Sequence, residues 1–208
     1  MLAVQIAGPP APETLSDDQL ARRQRIVKVA LRSLARNNYE DIKINDLARD
    51  ANVALGTLYR YFASKEHLLA VAFMEWQSVL KVKLERFVPA GATEAERLSE
   101  VFRQVTSAFE LQPRFFRFMT ILHDTTDPYA AAISSSTRSV FNKTVEDTLG
   151  GPLDADQNAI VRTVSAVFEH AMRNWIMQRL TIDDVYERLE ASIRLIYHYC
   201  PEGSPPSR

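Results

Sequence analysis

A short stretch of the chain, GTLYRYFASKEHLL, combines side chains that could bind nucleic acid. The hydroxyls of Tyr59 and Tyr61 can donate hydrogen bonds to phosphate oxygens, and Lys65 adds a positive charge for a phosphate. Thr57 offers a methyl group to thymine and a hydroxyl to a base or phosphate. Gly56 costs a helix about 1 kcal/mol relative to alanine, which is reasonable where a backbone must approach DNA closely. The stretch therefore predicts contacts with a DNA backbone and with base edges.

The sequence offers no comparable set of residues for catalysis or metal binding. It contains no G-x-S-x-G, P-loop, G-x-G-x-x-G or H-E-x-x-H motif. His123, Asp124 and Asp127 lie close together, but they lack partners at a spacing such as H-x-x-x-H, so capping and solvation explain them better. We therefore expect neither an enzyme nor a bound metal or cofactor.

The charge of the chain supports nucleic-acid binding at one end only. The whole chain has a net charge of −1. Residues 19–66, however, contain ten basic and five acidic side chains, which gives this segment +5 and leaves −6 for the rest. A basic head on an acidic body is typical of proteins that present one end to a polyanion. Charge alone leaves open a second interpretation, a helical corner with solvated side chains.

The elements that position these side chains are predicted to be helices. Only six glycines occur, and 46% of the residues are apolar and recur at spacings of three and four, which predicts an all-α protein. No run reaches the roughly 18 apolar residues of a membrane helix, and the first residues lack the basic start of a signal peptide. The single cysteine, Cys200, excludes an intrachain disulfide and suits a reducing compartment. We expect a cytoplasmic protein without membrane contact.

A helix-turn-helix is predicted around the tyrosine-rich stretch. A first helix, about residues 19–36, precedes a short helix with apolar residues at Ile44 and Leu47 and, after a tight turn, a second short helix. Leu58 and Phe62 face a core, and the N-terminal residues of this second helix should enter the major groove. The residues expected to read bases are Leu55, Gly56, Thr57 and Arg60, and those expected to contact phosphates are Tyr59, Tyr61 and Lys65.

A long helix after the helix-turn-helix is predicted to join a head to a body. Ser64 is a good N-cap, and the apolar pattern continues to the break at Pro89. We predict a disordered tail at 1–18, a DNA-binding head at 19–66, a helical body at 67–200 and a second tail at 201–208. Because the boundary lies within a helix rather than a flexible linker, the helix could transmit a displacement from body to head.

Large apolar side chains of the body could line a ligand cavity. The segment RFFRFMTIL is apolar on nearly every side, and Arg114 and Arg117 could bind a carboxylate or phosphate at a cavity mouth. Most of these side chains could equally be ordinary core residues, and the arginines could be solvated. The candidates for contact with an apolar ligand are Phe73, Trp76, Phe102, Phe109, Phe115, Phe116, Met119, Phe141, Phe168 and Met172.

The last two helices, about residues 154–178 and 181–199, are predicted to pair two copies of the chain. The first of them has two apolar faces, one more than a monomer needs. Paired across a two-fold axis, they would form a four-helix bundle, and two heads could then bind a palindrome. The residues expected in this interface are Ile160, Val164, Val167, Ala171, Trp175, Val185, Leu189, Ile193 and Ile196.

The run INDLARDANVALGTLYRYFASKEHLL resembles the DNA-binding head of the TetR family of bacterial transcriptional regulators. The resemblance rests on the D-L-A, G-T-L-Y-x-Y-F and S-K-E-x-L-L motifs within it. It implies DNA contacts by Thr57, Tyr59, Tyr61 and Lys65, a phosphate contact by Lys43 at a helix start, and an inducer bound in the body.

Three positions depart from the usual pattern of the family. Asn52 replaces a turn glycine, which is tolerable because asparagine can adopt left-handed conformations. Lys43 and Ala54 replace serine or threonine caps, at a cost of about 1 kcal/mol each. The runs ALGTLYRYFASKEHLL and RLTIDDVYERLEASIRLI are further similar to TetR-type repressors of steroid catabolism in actinobacteria, which implies a steroid-like or acyl thioester ligand.

These observations predict a repressor that binds palindromic operator DNA as a homodimer and is released by an apolar small molecule. The alternative is a DNA-binding protein that is controlled by a protein partner, without a small-molecule inducer. A continuous apolar cavity in the body favours the first hypothesis, and a fully packed interior favours the second.

Overall fold

The structure is a computed structural model that describes residues 8–199, apart from the side chains of residues 135–140. Within that part of the chain no strand occurs and every regular element is a helix, which confirms the predicted all-α fold. Cys200 and the expected tail at 201–208 lie outside the described residues, as does the start of the expected N-terminal tail.

Nine α-helices follow one another over residues 8–199: α1 (Asp17–Arg36), α2 (Ile44–Asp50), α3 (Leu55–Tyr61), α4 (Lys65–Arg86), α5 (Glu94–Leu111), α6 (Pro113–His123), α7 (Pro128–Leu149), α8 (Ala155–Ile176) and α9 (Ile182–Tyr199). Short 3₁₀ helices lie at Pro12–Thr14 and Tyr39–Asp41. None of the helices in this part of the chain combines the length and apolar character needed to cross a bilayer.

Helical structure begins before residue 19, where the sequence analysis expected a disordered tail. α1 starts at Asp17, and the backbone N–H of Ser16 donates to Oε1 of Gln19 at 3.1 Å. Serine followed three residues later by glutamine is one form of the capping box, so the start of α1 follows from a local signal in the sequence.

Capping residues also set the ends of helices farther along the chain. The Thr93 hydroxyl accepts from the backbone N–H of Glu96 at 3.2 Å, and the Glu96 carboxylate accepts from the N–H of Thr93 at 3.1 Å. Asp154 and Gln157 form the same reciprocal pair at the start of α8. α7 ends before Gly150, whose φ of +96° is readily adopted only by glycine.

The chain divides into two compact units, each with its own core. The first unit contains residues up to Ser78 together with Phe118–Thr137, and the second contains Val79–Arg117 together with residues from Arg138 onward. Large buried side chains in the first unit are Ile26, Leu34, Leu47, Leu58, Phe62, Leu69 and Phe73. Those in the second unit are Phe102, Phe109, Phe116, Val164, Phe168, Met172, Leu189 and Ile193.

The first unit extends beyond the residues 19–66 that were predicted as the head. It includes the end of α6, because the ring of Phe118 stacks on that of Tyr39 with 5.7 Å between centroids. Phe118 also meets Phe73 edge-to-face at 5.9 Å. Local sequence patterns do not show contacts between residues so far apart in the chain.

Candidate DNA-binding, ligand and dimer surfaces

α2 and α3 are joined by a tight turn, as a helix-turn-helix requires. Asn52 in this turn has a φ of +52°, which confirms the expectation that asparagine adopts a left-handed conformation there. The Val53 N–H donates to the carbonyl of Ala48 at 3.0 Å. Nε of Arg25 on α1 donates to the carbonyl of Ala51 at 2.9 Å. The turn is therefore held both by its own backbone and by α1.

One side of α3 is exposed and carries most of the predicted DNA-binding residues. Leu58 is fully buried, and it fixes the opposite side of the helix against the core. The predicted residues on the accessible side are Leu55, Gly56, Thr57, Tyr59 and Arg60, of which Thr57 is partly covered. A Cβ added to Gly56 would meet nothing within 4 Å, so packing inside the chain does not require glycine at this position.

Tyr61 does not lie on this accessible side, contrary to the expectation. Its side chain is 1% exposed, and its hydroxyl has no hydrogen-bond partner among the described residues. Helical spacing explains the difference, because Tyr61 follows Leu58 by three positions and shares its buried face. Tyr59 is the tyrosine of α3 that is accessible to DNA.

The two helices of the motif begin without side-chain caps, as their residue types predict. Lys43 and Ala54 are the N-cap residues of α2 and α3, and neither makes a capping hydrogen bond. Lys43 is exposed, so its amine is accessible for the phosphate contact that the sequence analysis expected.

Lys65, at the start of α4, is held by a residue outside the motif. Its Nζ donates to the backbone carbonyl of Tyr39 at 2.7 Å and lies 4.1 Å from the centroid of the Tyr39 ring. Burial lowers the pKa of Lys65, although the carboxylates of Glu40, Glu66 and Asp41 oppose that change. Sequence reasoning missed Tyr39, because no motif includes it.

Glu66 and Asp127 extend this network to the segment between α6 and α7. The Tyr39 hydroxyl donates to Oε1 of Glu66 at 3.0 Å, and the Thr125 hydroxyl donates to the other carboxylate oxygen. Burial and the hydrogen bond to Glu66 raise the pKa of Tyr39 to about 12. Asp127 accepts a hydrogen bond from the Ser64 hydroxyl, so the N-caps of α4 and α7 are joined. An open cleft of about 370 Å³ is lined by Tyr39, Ser64, Lys65, Glu66, Thr126 and Asp127.

The carboxylate of Asp127 caps α7, as predicted. Its Oδ1 accepts from the backbone N–H groups of Tyr129 at 3.0 Å and Ala130 at 2.8 Å. His123 and Asp124 are exposed at the end of α6. Among the residues that the structure describes, no group of three histidine, cysteine or acidic residues is arranged to hold a metal ion.

Seven of the ten predicted ligand-binding residues lie in the second unit, and five of the seven are phenylalanines in mutual contact. The ring of Phe168 lies 5.9 Å from that of Phe102 and 5.8 Å from that of Phe116, measured between centroids. Phe109 lies 5.3 Å from Phe116, and Phe141 lies 5.6 Å from Phe102. We call these five residues the phenylalanine cluster. Such geometry suits both a packed core and the wall of an apolar site.

The remaining ligand candidates are divided between the two units. Phe115 and Met172 are buried in the second unit. Phe73, Trp76 and Met119 belong to the first unit, where Phe73 and Trp76 stack with 5.6 Å between ring centroids. Neither unit by itself contains the whole predicted set, so the ligand site stays a prediction.

Most residues expected in the dimer interface are buried within a single chain, contrary to the expectation. Their exposed fractions are 9% or less, which leaves little surface for a second copy, and they are Ile160, Val164, Ala171, Val185, Leu189 and Ile193. α9 packs on both α8 and α5. The apolar faces that were predicted to contact a second copy of the chain are therefore used for packing within one chain. Val167, Trp175 and Ile196 are partly exposed.

Sequence reasoning also missed apolar side chains that these last helices leave at the surface. Leu195 on α9 exposes 53% of its surface, Met177 after α8 exposes 53%, and Tyr199 exposes 78%. The spacing of four between Leu195 and Tyr199 could have identified these two as one face of α9. It could not show which face packs inside the chain, because that choice depends on the position of α5.

Comparison with known proteins matches both parts of the chain to regulatory proteins. Residues 26–72 match the family described as bacterial regulatory proteins, tetR family. Residues 91–196 match the C-terminal domain described as tetracyclin repressor-like. The second match alone covers about half of the chain.

Individual proteins match over most of their length. The HTH-type transcriptional repressor KstR of Mycobacterium tuberculosis (strain ATCC 25618 / H37Rv), a steroid catabolism repressor, is 32% identical over 185 residues, which are 87% of this chain and 83% of KstR. A TetR transcriptional regulator from Rhodococcus sp. RHA1 has a TM-score of 0.74 at 17% identity, over 90% of this chain and 100% of that one. The regulator FadR from Bacillus subtilis, solved in complex with stearoyl-CoA, has a TM-score of 0.63 at 18% identity, over 83% and 96%.

Proposed function

Because the chain belongs to the tetR family of bacterial regulatory proteins, we propose that it is a ligand-responsive transcriptional repressor. It binds palindromic operator DNA as a homodimer, and an apolar small molecule releases it. Membership of a family of regulators also confirms that the chain is not an enzyme.

The observation that carries this proposal is the accessible side of α3. Tyr59 and Arg60 are exposed there, and Thr57 lies between them and the buried Leu58. The hydroxyl of Thr57 and the guanidinium of Arg60 bind base edges, while the hydroxyl of Tyr59 binds a phosphate. Lys43 and Lys65 add phosphate contacts at the starts of α2 and α4.

The homodimer is proposed to form through the apolar surface that α8 and α9 leave exposed. Val167 and Trp175 on α8 and Ile196 on α9 are partly exposed, and Leu195, next to Ile196 in the sequence, is 53% exposed. Apolar side chains of this size favour burial against a second copy, because that removes their surface from water. Two copies would present two α3 helices to the two halves of a palindrome.

The proposed ligand is a steroid-like or acyl thioester metabolite that binds among the aromatic side chains of the second unit. The sequence likeness to KstR supports a steroid-like molecule, and the stearoyl-CoA complex of FadR supports an acyl thioester. α4 contributes residues to both units, so displacement of its second half could reach the DNA-binding helices. The ligand acts only through its difference in affinity for the two conformations, and a shift from 99:1 to 1:99 needs about 5.5 kcal/mol.

The test is selection of DNA followed by ligand release. A random-sequence duplex pool is selected with the wild-type protein, and the selected duplex is labelled for fluorescence anisotropy. Steroids, steroid coenzyme A thioesters and long-chain acyl-CoA are then added, with free coenzyme A as the control. We expect a palindrome and a rise in Kd of at least about tenfold with one ligand class.

A substitution in the phenylalanine cluster tests ligand binding separately from DNA binding. Phe116→Leu keeps an apolar side chain, so it should reduce sensitivity to the ligand while leaving affinity for the selected duplex largely unchanged. If no ligand class releases the wild-type protein from DNA, the ligand-responsive part of the proposal falls. Control by a protein partner then becomes the better hypothesis.

A further inference from the structure

Four basic side chains follow one face of α1. They are Arg25, Lys28, Arg32 and Arg36, spaced by three or four positions, and we call them the α1 basic stripe. Residues at these spacings are neighbours on a helix surface. All four are exposed.

Within residues 8–199, apart from the side chains of residues 135–140, Lys28, Arg32 and Arg36 of the α1 basic stripe form no ion pair. No acidic residue occurs between Asp18 and Glu40. Like charges four positions apart on a helix repel one another and destabilise it. A row of basic side chains without ion pairs in the described part of the chain fits an anionic binding partner.

The α1 basic stripe ends at parts of the proposed DNA-binding surface. At its first residue, Nε of Arg25 donates to the carbonyl of Ala51 in the turn before α3. Beyond its last residue, Arg36, the chain continues into the loop that carries Tyr39, whose carbonyl holds Lys65. The same loop ends at the exposed Lys43. All of these residues belong to the first unit.

We propose that the α1 basic stripe binds DNA phosphates adjacent to the groove that α3 enters, so that α1 adds non-specific affinity to the sequence-specific contacts. This proposal rests on the proposed function of the chain as a DNA-binding regulator. At 1.5 Å per residue, the stripe is about 16 Å long, which corresponds to about five nucleotides of one strand. The α1 basic stripe is therefore proposed to bind several phosphates along the sugar-phosphate backbone of duplex DNA, not a single phosphate group.

The test compares three triple variants of the full-length protein by fluorescence anisotropy. The probe is a duplex selected by the wild-type protein and extended by about five base pairs at each end, to match the length of the stripe. The first variant is Lys28→Gln/Arg32→Gln/Arg36→Gln, which leaves the structural Arg25 in place. The second, Lys28→Arg/Arg32→Lys/Arg36→Lys, retains the charge. The third, Lys83→Gln/Arg86→Gln/Arg179→Gln, removes three exposed cations from the second unit.

The first variant should bind the extended duplex more weakly, and its salt slope should fall by about 0.9 for each phosphate that the protein no longer neutralises. The charge-retaining variant and the variant in the second unit should keep the wild-type slope. Circular dichroism checks that each variant is folded, and the charge-retaining variant shows whether positions 28, 32 and 36 tolerate change. If the slope of the first variant falls no further than that of the variant in the second unit, the stripe does not bind DNA. If the wild-type protein selects no sequence at all, the proposed function fails instead.

Discussion

At the level of single residues, Tyr59 and Tyr61 differ in role: Tyr59 is exposed and can contact DNA, whereas Tyr61 is packed in the core. The two positions differ by about 200° around the helix, so the side chains lie on opposite sides. Tyr59 is 45% exposed, whereas Tyr61 is 1% exposed and its hydroxyl has no hydrogen-bond partner in the part of the chain that the structure describes. A buried hydroxyl without a partner costs free energy, and an exposed one is free to bind a phosphate.

Replacing each tyrosine by phenylalanine should separate these roles. Tyr61→Phe removes an unpaired buried hydroxyl, so the free energy of unfolding should stay unchanged or rise by up to about 1 kcal/mol. Tyr59→Phe should leave stability unchanged and weaken operator binding by about 5- to 150-fold, because one hydrogen bond of about 0.5–1.5 kcal/mol is removed from each of two subunits. Urea unfolding and fluorescence anisotropy measure the two effects. A drop in operator affinity in Tyr61→Phe would show that this side chain leaves the core when DNA binds.

The sequence analysis placed Tyr61 on the DNA side of α3, whereas the structure buries it on the same face as Leu58. The motif pointed to both tyrosines as DNA contacts, whereas the spacing from Leu58 places Tyr61 inside. Lys65 is partly exposed, and the phosphate contact that the motif implies for it stays a prediction. Its bond to the Tyr39 carbonyl depends on a contact between distant residues, which neither motif nor period contains.

Lys65 and Thr57 should differ in how they affect DNA binding. Lys65→Ala should weaken binding to all duplexes and lower the salt slope by about 0.9 for each phosphate left without its lysine. Thr57→Val should change the preferred base, with discrimination altered by about 1–3 kcal/mol. Anisotropy titrations against selected and random duplexes measure both. An equal weakening on the two kinds of duplex for Thr57→Val would contradict its role in reading bases.

Asp127 should contribute to stability in a pH-dependent way. Burial acts to raise its pKa, but hydrogen bonds from Ser64 and from the N–H groups of Ala130 and Tyr129 outweigh it, so the pKa lies below its ordinary value of 3.8. A lowered pKa means that the contribution is present above the ordinary value and is lost as pH falls through the folded value. Asp127→Ala should therefore lower the free energy of unfolding by about 1 kcal/mol at pH 7, and the difference should shrink below pH 3.8. Urea unfolding at a series of pH values measures this difference in the free energy of unfolding.

The variant Asp127→Asn keeps a hydrogen-bond acceptor, so it should be destabilised less than Asp127→Ala. Equal destabilisation of the two variants would contradict the capping role of Asp127.

At the level of helices, the sequence predicts where helices end, but it predicts only in part which face of each helix is buried. Thr93 with Glu96, and the glycine pair after α7, are local signals that identify their helix ends without tertiary information. α8 and α9 each carry more apolar residues than one contact needs. The choice of which face is buried depends on α5, which lies far away in the sequence. Six of the expected dimer residues therefore pack inside a single chain, and the interface itself stays a prediction.

The proposed dimer surface can be tested with one substitution and a matched control. Leu195→Glu places a charge in the proposed interface, which should raise the dimer Kd by more than about 100-fold, because an unpaired buried charge costs about 3 kcal/mol or more. Leu111→Glu makes the same change at a leucine that is 75% exposed on α5. Sedimentation at micromolar concentration should give the 23.6 kDa monomer for Leu195→Glu and a dimer for Leu111→Glu and the wild type. A monomeric wild-type protein would contradict the homodimer itself.

At the scale of the whole molecule, charge and fold class were visible in the sequence, but the composition of the two units was not. The +5 head follows from counting residues 19–66. The inclusion of Phe118 in the first unit follows from its stacking on Tyr39, and only the folded chain brings these two rings together. The phenylalanine cluster likewise joins residues of α5, α6, α7 and α8.

The central claim is that this chain is a sequence-specific DNA-binding protein, and the ratio of two affinities tests it most directly. Fluorescence anisotropy at about 0.15 M salt gives the Kd of the wild-type protein for its selected duplex and for a shuffled duplex of the same length and composition. A sequence-specific protein should bind the selected duplex at least about 1,000-fold more tightly, and this ratio should persist as salt is raised while both affinities fall. Equal affinity for the two duplexes would contradict it, because phosphate contacts alone would then account for all of the binding.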